Sequence, residues 1–391
     1  MIDPETWPAR ADRLRVELVE AGKLTDDRLQ AAVLAVPRHV FVPSFYEQNG
    51  SPQWERRSRE DTPEEWWSAV YANRPLTTQV GQLDPDDNNL LPTSSSAPSV
   101  MVRMLEALRL DGGHRVLEIG TGTGYNAALL SHRLGAEHVY SVDVDPTLVE
   151  AARDHLAELG FTPTLRVTDG ARGLPGHAPF DRIIGTCAVD RVPWAWVEQT
   201  VPGGLVLVDL KVLAGIGAGN LVRLERFQDR LEGRFDLGGY ATFMHMRNAE
   251  AAPIVAPSMD RDAGEARHTT TEADVPHQVW GSYVTWFLLH LAPGAQRVTF
   301  GSVTDEETGK PGAALYVTAD GSWCEVEPGE PGSSRAVRSG GPRDLWADIV
   351  AARELWATEG RPDWDRFGLT VTREDQWVWL DRPDGVHRWR L

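Results

Sequence analysis

Short runs of consecutive apolar residues alternate along much of this chain with stretches where apolar positions recur every three to four residues. The runs at 114–119, 139–142, 164–167, 182–185 and 205–210 predict buried strands. Helical spacing follows the first at 125–133 and precedes the last at 193–200, with a Pro-Gly-Gly turn at 202–204. Strands and helices in alternation give a parallel sheet covered on both faces, so the expected fold is α/β, a doubly wound sheet. Upstream, helices are expected over 8–21 and from a capping Thr25, with Leu29, Ala32, Val33 and Val36 on one face. Pro37 should stop the second, and 36–43, with a proline near each end, should be extended. There Arg38 and His39 read as a charged pair on a half-exposed strand. A further helix after Ser99 places Val100, Met104, Leu105 and Leu108 together, and the serines before it suit an N-cap. Segments 221–227 and 241–246 suggest a closing antiparallel pair.

Two stretches break the pattern. Residues 44–92 are rich in charge and proline and read as a long insertion with a possible extended return at 71–82. Trp54, Trp66 and Trp67, set among Arg56, Arg57 and Arg59, suggest a lid or a peptide-binding surface there. Residues 249–267 lose apolar periodicity and resemble a linker. That divides the chain into a domain over 1–248 and a small α+β domain over 268–391. The second holds nine of the fifteen tryptophans, short alternating runs at 296–300, 314–318 and 376–380, and a helix over 342–358. Its tryptophans suit either a peptide groove or a core.

Composition narrows the partners. A formal net charge of −18 over 391 residues disfavours nucleic-acid phosphates. No stretch approaches the ~20 apolar residues of a membrane span, and the first residues lack a signal-peptide pattern, so a cytoplasmic enzyme without membrane contact is expected. Two cysteines far apart, Cys187 and Cys324, make neither a disulfide framework nor a metal site. Cys187, past the fourth strand with no charge pattern to activate it, suits packing.

The candidate chemistry centres on Val116 to Tyr125. Gly120, Gly122 and Gly124 allow a tight turn and close approach of backbone to a ligand. Asp143, at the end of the next strand, falls where an acid accepts ribose hydroxyls, and Asp169, before Gly170, falls where one accepts from an adenine amino group. Glu118 would repel a pyrophosphate but attract the ammonium and sulfonium of S-adenosyl-L-methionine, which selects that cofactor over a dinucleotide. A hydroxyl among Ser94, Ser95 and Ser96, with the free N–H groups of the following helix, can hold an anionic group of the substrate.

These motifs resemble the protein-L-isoaspartyl O-methyltransferases. Val36 to Pro43, Ser96-Ala97-Pro98, Val116 to Tyr125, Asp169-Gly170 and Pro202 to Gly204 occur in that family's order, over about residues 10–248. The resemblance implies a Rossmann-like class I methyltransferase fold. It implies that Ser96 contacts the substrate carboxylate, Glu118 and the glycines the methionine part, Asp143 the ribose and Asp169 the adenine. Thr121, Val144 and Gly170, beside these residues, complete the implied cofactor set. No general base is expected, since a carboxylate nucleophile near pKa 3.9 is already ionised. The added second domain and longer insertion look like the actinobacterial subgroup that accompanies ATP-grasp peptide maturases. That likeness implies a different substrate: an aspartate in a cyclised, ribosomally made precursor peptide, methylated and then collapsing to aspartimide. Repair of isoaspartyl residues in damaged proteins is the alternative. Acidic charge would repel such peptides at long range, and Arg56, Arg57 and Arg59 would form a compensating basic patch.

Overall fold

A computed structural model describes residues 6–48, 53–80, 93–235, 239–247, 266–304 and 311–391. Helices α1 (Thr6–Glu20), α2 (Asp27–Ala35) and α3 (Arg38–Phe41) open the chain. Strand β1 (Ser44–Glu47), strand β2 (Glu55–Ser58), helix α4 (Pro63–Val70), strand β3 (Leu76–Gln79) and strand β4 (Thr93–Ser95) follow, and then helix α5 (Pro98–Ala107).

The α/β core comes next: β5 (Val116–Ile119), α6 (Tyr125–Leu134), β6 (Val139–Asp143), α7 (Pro146–Glu158) and β7 (Thr164–Val167), then β8 (Phe180–Val189), α8 (Trp194–Gln199) and β9 (Thr200–Lys211). Strands β10 (Gly219–Arg226) and β11 (Leu231–Phe235) turn back antiparallel. Strand β5 pairs in parallel with β6 and with β8, so chain direction across the sheet reverses between them. In open α/β sheets a ligand crevice forms outside the carboxyl ends of strands at such a switch point. The chain thus has the doubly wound architecture its pattern predicts, with a further sheet beyond it.

Strand β12 (Arg267–Thr271), helix α9 (Tyr283–Leu291), strands β13 (Val298–Thr304), β14 (Pro311–Thr318), β15 (Trp323–Val326) and β16 (Arg335–Gly340) and helix α10 (Leu345–Thr358) make that addition. Strands β12 to β16 form their own antiparallel sheet, in the order β12-β16-β15-β14-β13. The last strands, β17 (Phe367–Val371), β18 (Gln376–Leu380) and β19 (Arg388–Arg390), instead extend the main sheet through pairing of β17 with β11. One hydrophobic cluster runs from Ile119 through Trp286 to Ile349. Among the C-terminal tryptophans, Trp286, Trp323, Trp346, Trp364 and Trp379 are buried, so these form core and no groove.

Several local expectations are corrected. Residues 38–41 are helical, with Pro37 at the N-cap. Proline there supplies the non-helical entry instead of extending the strand. Arg38 is not half-exposed but buried. Asp26, not Thr25, caps α2, accepting from the amides of Arg28 and Leu29 at 2.9 and 2.8 Å. Thr25 is spent on Glu106, to which its hydroxyl donates at 3.0 Å. The serines do not cap α5: Ala97 is its N-cap, and Asn73 Oδ1 accepts from the Ser99 amide at 3.0 Å.

The described parts of 44–92 belong to a folded unit. Strands β1 to β4 make a sheet in the order β2-β1-β3-β4. Trp66 and Trp67 on α4 lie 1% exposed beneath it, and Trp66 donates its indole N–H to the Val42 carbonyl at 3.0 Å. The arginines there are engaged too: Arg57 with Glu47 at 2.8 Å, Arg56 with Asp61 at 3.2 Å, and Arg59 over the Trp67 ring. Arg56 and Arg57 are thus paired with acids, while Arg59 is exposed beside Trp67. Residues 241–246 make no antiparallel strand, and β11 takes that place beside β10. The only ladder contact of 241–246 among the described residues is a parallel bridge between Ala188 and His245.

Candidate functional site

A pocket lies at the switch point, lined by the end of β5, the turn into α6, the end of β6, Thr186 and Cys187 of β8, residues 93–96, and residues 244–247. Its turn is built by glycines. Gly120 has φ +99°, and a Cβ there would stand 2.6 Å from Thr186 Oγ1. Gly124, at φ +89°, faces Ala152 at 3.0 Å and serves helix–helix approach behind the pocket wall. Thr186 locks the turn from the other side, donating to the Gly120 carbonyl at 2.6 Å.

Glu118 sits on the floor and is fully buried. Its carboxylate accepts from Asn126 Nδ2 at 2.7 Å and from the Ser141 hydroxyl at 2.6 Å, and Ser141 meets the Thr121 hydroxyl at 2.7 Å. Burial pushes the Glu118 carboxyl up to about 7, and the negative charge of Asp143 adds to it, against the two hydrogen bonds. Asn126 Oδ1 has no hydrogen-bond partner. A buried carboxylate beside an unfilled amide acceptor is a donor-seeking site, which fits the ammonium of S-adenosylmethionine. Among the described lining residues Arg247, at the rim, is the one lysine or arginine. The residues present thus fit this cofactor and not a pyrophosphate.

Asp143 accepts from the Gly122 amide at 3.0 Å and from the Asp145 amide at 3.2 Å, and Arg247 approaches within 4.0 Å. These bonds fix the carboxylate against the glycine turn. Asp169 directly precedes the lining residue Gly170. Its carboxylate accepts from the Ala171 amide at 2.9 Å and caps a short turn at Gly170–Arg172, while Gly170 itself lines the pocket. The structure therefore gathers Ser96, Glu118, Gly120, Thr121, Gly122, Asp143, Val144 and Gly170 around one cavity. Gly124 packs against Ala152 behind its wall.

Ser96 reaches the cavity because β4, an edge strand of the N-terminal sheet, runs straight into it. Arg38 holds that approach. Its guanidinium donates to the carbonyls of Val70 at 2.9 Å, Ala72 at 3.0 Å, Arg74 at 3.2 Å and Ser96 at 3.2 Å. Burial lowers its pKa to about 10, so it stays charged at neutral pH. Cys187 lines the pocket as a thiol pushed up to about 12 by burial and by the acids Asp143, Asp209 and Glu118, which leaves it no nucleophile.

Sequence reasoning missed Arg38, Asn126, Thr186 and residues 244–247. Asn126, one turn into the helix after the glycines, had a readable signal; the others are placed by distant segments. Segment 241–247 is fastened from below. The Phe243 amide donates to Asp209 at 2.8 Å, Lys211 donates to the Phe243 carbonyl, the Met246 amide donates to the Ala188 carbonyl at 2.7 Å, and the Ala188 amide donates to the Met244 carbonyl at 2.8 Å.

Comparison with known proteins adds to this geometry. The family described as Protein-L-isoaspartate(D-aspartate) O-methyltransferase (PCMT) matches residues 9–231. A protein-L-isoaspartate O-methyltransferase of Methanosarcina mazei is 37% identical over 201 residues, 50% of this chain and 70% of that protein. One of Methylorubrum extorquens is 34% identical over 232 residues, 59% of this chain and 86% of that protein. A solved structure titled protein-L-isoaspartate O-methyltransferase aligns with 95% of this chain and 100% of its own at a TM-score of 0.51 and 22% identity, which speaks to fold.

Proposed function

The chain belongs to the protein-L-isoaspartate O-methyltransferase family, and from that premise we propose that it esterifies an aspartyl side-chain carboxylate in a ribosomally made, cyclised peptide, the ester then closing to aspartimide. It is an S-adenosylmethionine-dependent methyltransferase, and enzymes of its kind act on peptides or proteins. The bound cofactor supplies the methyl group. In this reading Glu118 and Asn126 receive its ammonium, Asp143 the ribose hydroxyls, and the glycine turn admits it closely.

Ser96 offers the acceptor carboxylate a neutral donor, which orients it without quenching its charge as a lysine would. No side chain need remove a proton, because the acceptor is ionised at neutral pH. The ester carbonyl is afterwards attacked by the next backbone nitrogen, which loses its proton as methanol leaves and the ring closes.

The observation that carries the specialised acceptor is the pocket wall at 244–247. It lies past residue 231, where the family match ends, so this wall is built by a segment that the match does not cover. Repair of isoaspartyl residues is the second reading. The named relatives favour it, as does the solved isoaspartate methyltransferase that aligns across the C-terminal strands as well.

The two separate in one assay. Purified protein and S-adenosylmethionine are incubated with an isoaspartyl peptide, its aspartyl counterpart, and macrocyclic and linear forms of an aspartyl peptide, and mass is followed. Gain of 14 Da and then loss of methanol on the cyclised aspartyl peptide alone supports tailoring. Methylation of the isoaspartyl peptide alone overturns it in favour of repair.

A further inference from the structure

Ten large hydrophobic side chains are exposed among the described residues, and four of them, Leu213, Ile216, Met244 and Tyr283, come from three neighbouring segments. Apolar side chains scattered singly on a surface need no explanation, but a contiguous group does. The segments touch one another. Lys211 donates to the Phe243 carbonyl, Gly217 packs against the Tyr240 hydroxyl, and the rings of Tyr240 and Tyr283 stack with centroids 3.9 Å apart and planes within 5°.

The loop after β9 that carries Leu213 and Ile216 is strained and fixed. Leu213 has φ 53° and Ala214 φ 53°, both left-handed without being glycine. Such backbone costs of order 1 kcal/mol or more per residue and persists where the surroundings over-determine it. They do so here: Gly215 donates to the Val212 carbonyl at 2.9 Å, Val212 donates to the Ala218 carbonyl at 3.0 Å, and the buried Trp286 donates its indole N–H to the Ile216 carbonyl at 2.8 Å. The loop is thus anchored through its backbone while Ile216 stands 58% exposed.

We infer that Ile216, Tyr240 and Tyr283 form a subsite for an apolar or aromatic side chain of the peptide substrate, a few residues from the carboxylate that is esterified. Continuity with the reaction pocket identifies the occupant. Met244 lines that pocket and is itself exposed on this lip, and Tyr240 precedes it on the same segment. Charge points the same way: a protein of net charge −18 repels a carboxylate-bearing peptide at long range, so close affinity must come from uncharged contacts. Tyr283 belongs to α9, beyond residue 231 where the family match ends.

The inference rests on the substrate being a peptide. Its test uses a set of otherwise identical substrate peptides, aspartyl and isoaspartyl, linear and cyclised, with Leu, Phe, Gly or Ser placed one to four residues on either side of the acceptor. Wild-type protein is expected to show kcat/KM about tenfold higher for the best Leu or Phe peptide than for its Gly counterpart, the worth of burying most of one such side chain. The substitutions Ile216→Ser and Tyr283→Ser should narrow that ratio toward one, through KM, with S-adenosylhomocysteine affinity unchanged and with only the loss of the Tyr240–Tyr283 stack lowering the melting temperature of the second by a few degrees. Methylation of peptides with no flank preference, or a preference that both variants retain, overturns the inference and leaves the proposed function standing. Tight cofactor binding with no methylation of any peptide overturns both.

Discussion

The guanidinium of Arg38 donates at 3.2 Å to the backbone carbonyl of Ser96, so a fully buried arginine on the third helix sets the position of the serine that faces the reaction pocket. The same side chain holds three carbonyls between Val70 and Arg74. Arg38→Ala would strand four acceptors and leave a cavity. It is expected to cost about 3 kcal/mol in urea unfolding, and the surviving folded protein should lose kcat while keeping its cofactor affinity within about twofold. Arg38→Lys, a point charge in place of a planar fork, should recover little. An unchanged kcat in folded Arg38→Ala would detach Ser96 from this anchor.

Ser96 itself gives a cleaner separation of roles. Its hydroxyl orients the acceptor, whereas Glu118, Asp143 and the glycine turn serve the cofactor. Ser96→Ala should lower kcat/KM by about a hundredfold, the usual worth of one positioned donor, with S-adenosylhomocysteine affinity nearly intact by calorimetry. Parallel loss of both would place Ser96 with the cofactor instead.

Glu118 predicts a pH dependence with a definite sign. Its carboxyl is held up at about 7, above its ordinary 4.5, chiefly by burial. The folded protein therefore favours the protonated acid. Stability from this group is fully present below about pH 4.5 and is lost as pH rises through about 7. A cationic ligand reverses the preference, since it needs the carboxylate. Cofactor affinity should weaken by up to tenfold per pH unit below about 7 and level off above it. Glu118→Gln should flatten that profile and weaken binding at pH 8. A wild-type Kd that does not change between pH 5.5 and 8 would remove Glu118 from the ammonium site.

Much of this site was legible because of how parallel strands are buried. Strands covered on both faces become nearly continuous apolar runs, so β5 and β6 could be read directly, and the glycines and Asp143 at their ends followed. Other elements are specified by partners far away in sequence. The helix at 38–41 depends on Arg38 finding carbonyls more than thirty residues on, which no local pattern records. Strands β1 and β2 are short and laced with paired charges such as Arg57 and Glu47, and so resemble a polar loop. That one oxygen of the Asp169 carboxylate also caps the next turn was not visible in the sequence. Segment 241–247 lacks a ladder of its own, because Asp209, Lys211 and Asn220 supply its partners.

That fastening supplies the last prediction. Asp209 and Lys211 are both buried, 3.7 Å apart, and each bonds to Phe243. Burial holds the Asp209 carboxyl above its ordinary range and the Lys211 ammonium below its own, so the pair persists only because each supports the other's charge. Lys211→Met removes the cation and leaves a lone buried acid whose second oxygen already lacks a partner. Folding of that variant must then protonate Asp209, so its stability should fall as pH rises from about 4 toward neutrality, more steeply than in wild type. At pH 7.5 the loss is expected to be about 3 kcal/mol. Because Phe243 leads directly into Met244 to Arg247, the same variant should raise the Kd for S-adenosylhomocysteine several-fold. Asp209→Asn combined with Lys211→Met removes the stranded charge while keeping an acceptor for the Phe243 amide, and should restore more than half of the lost stability. Additive losses in the double variant, measured by urea unfolding at pH 5 and 7.5, would show that the two side chains act independently.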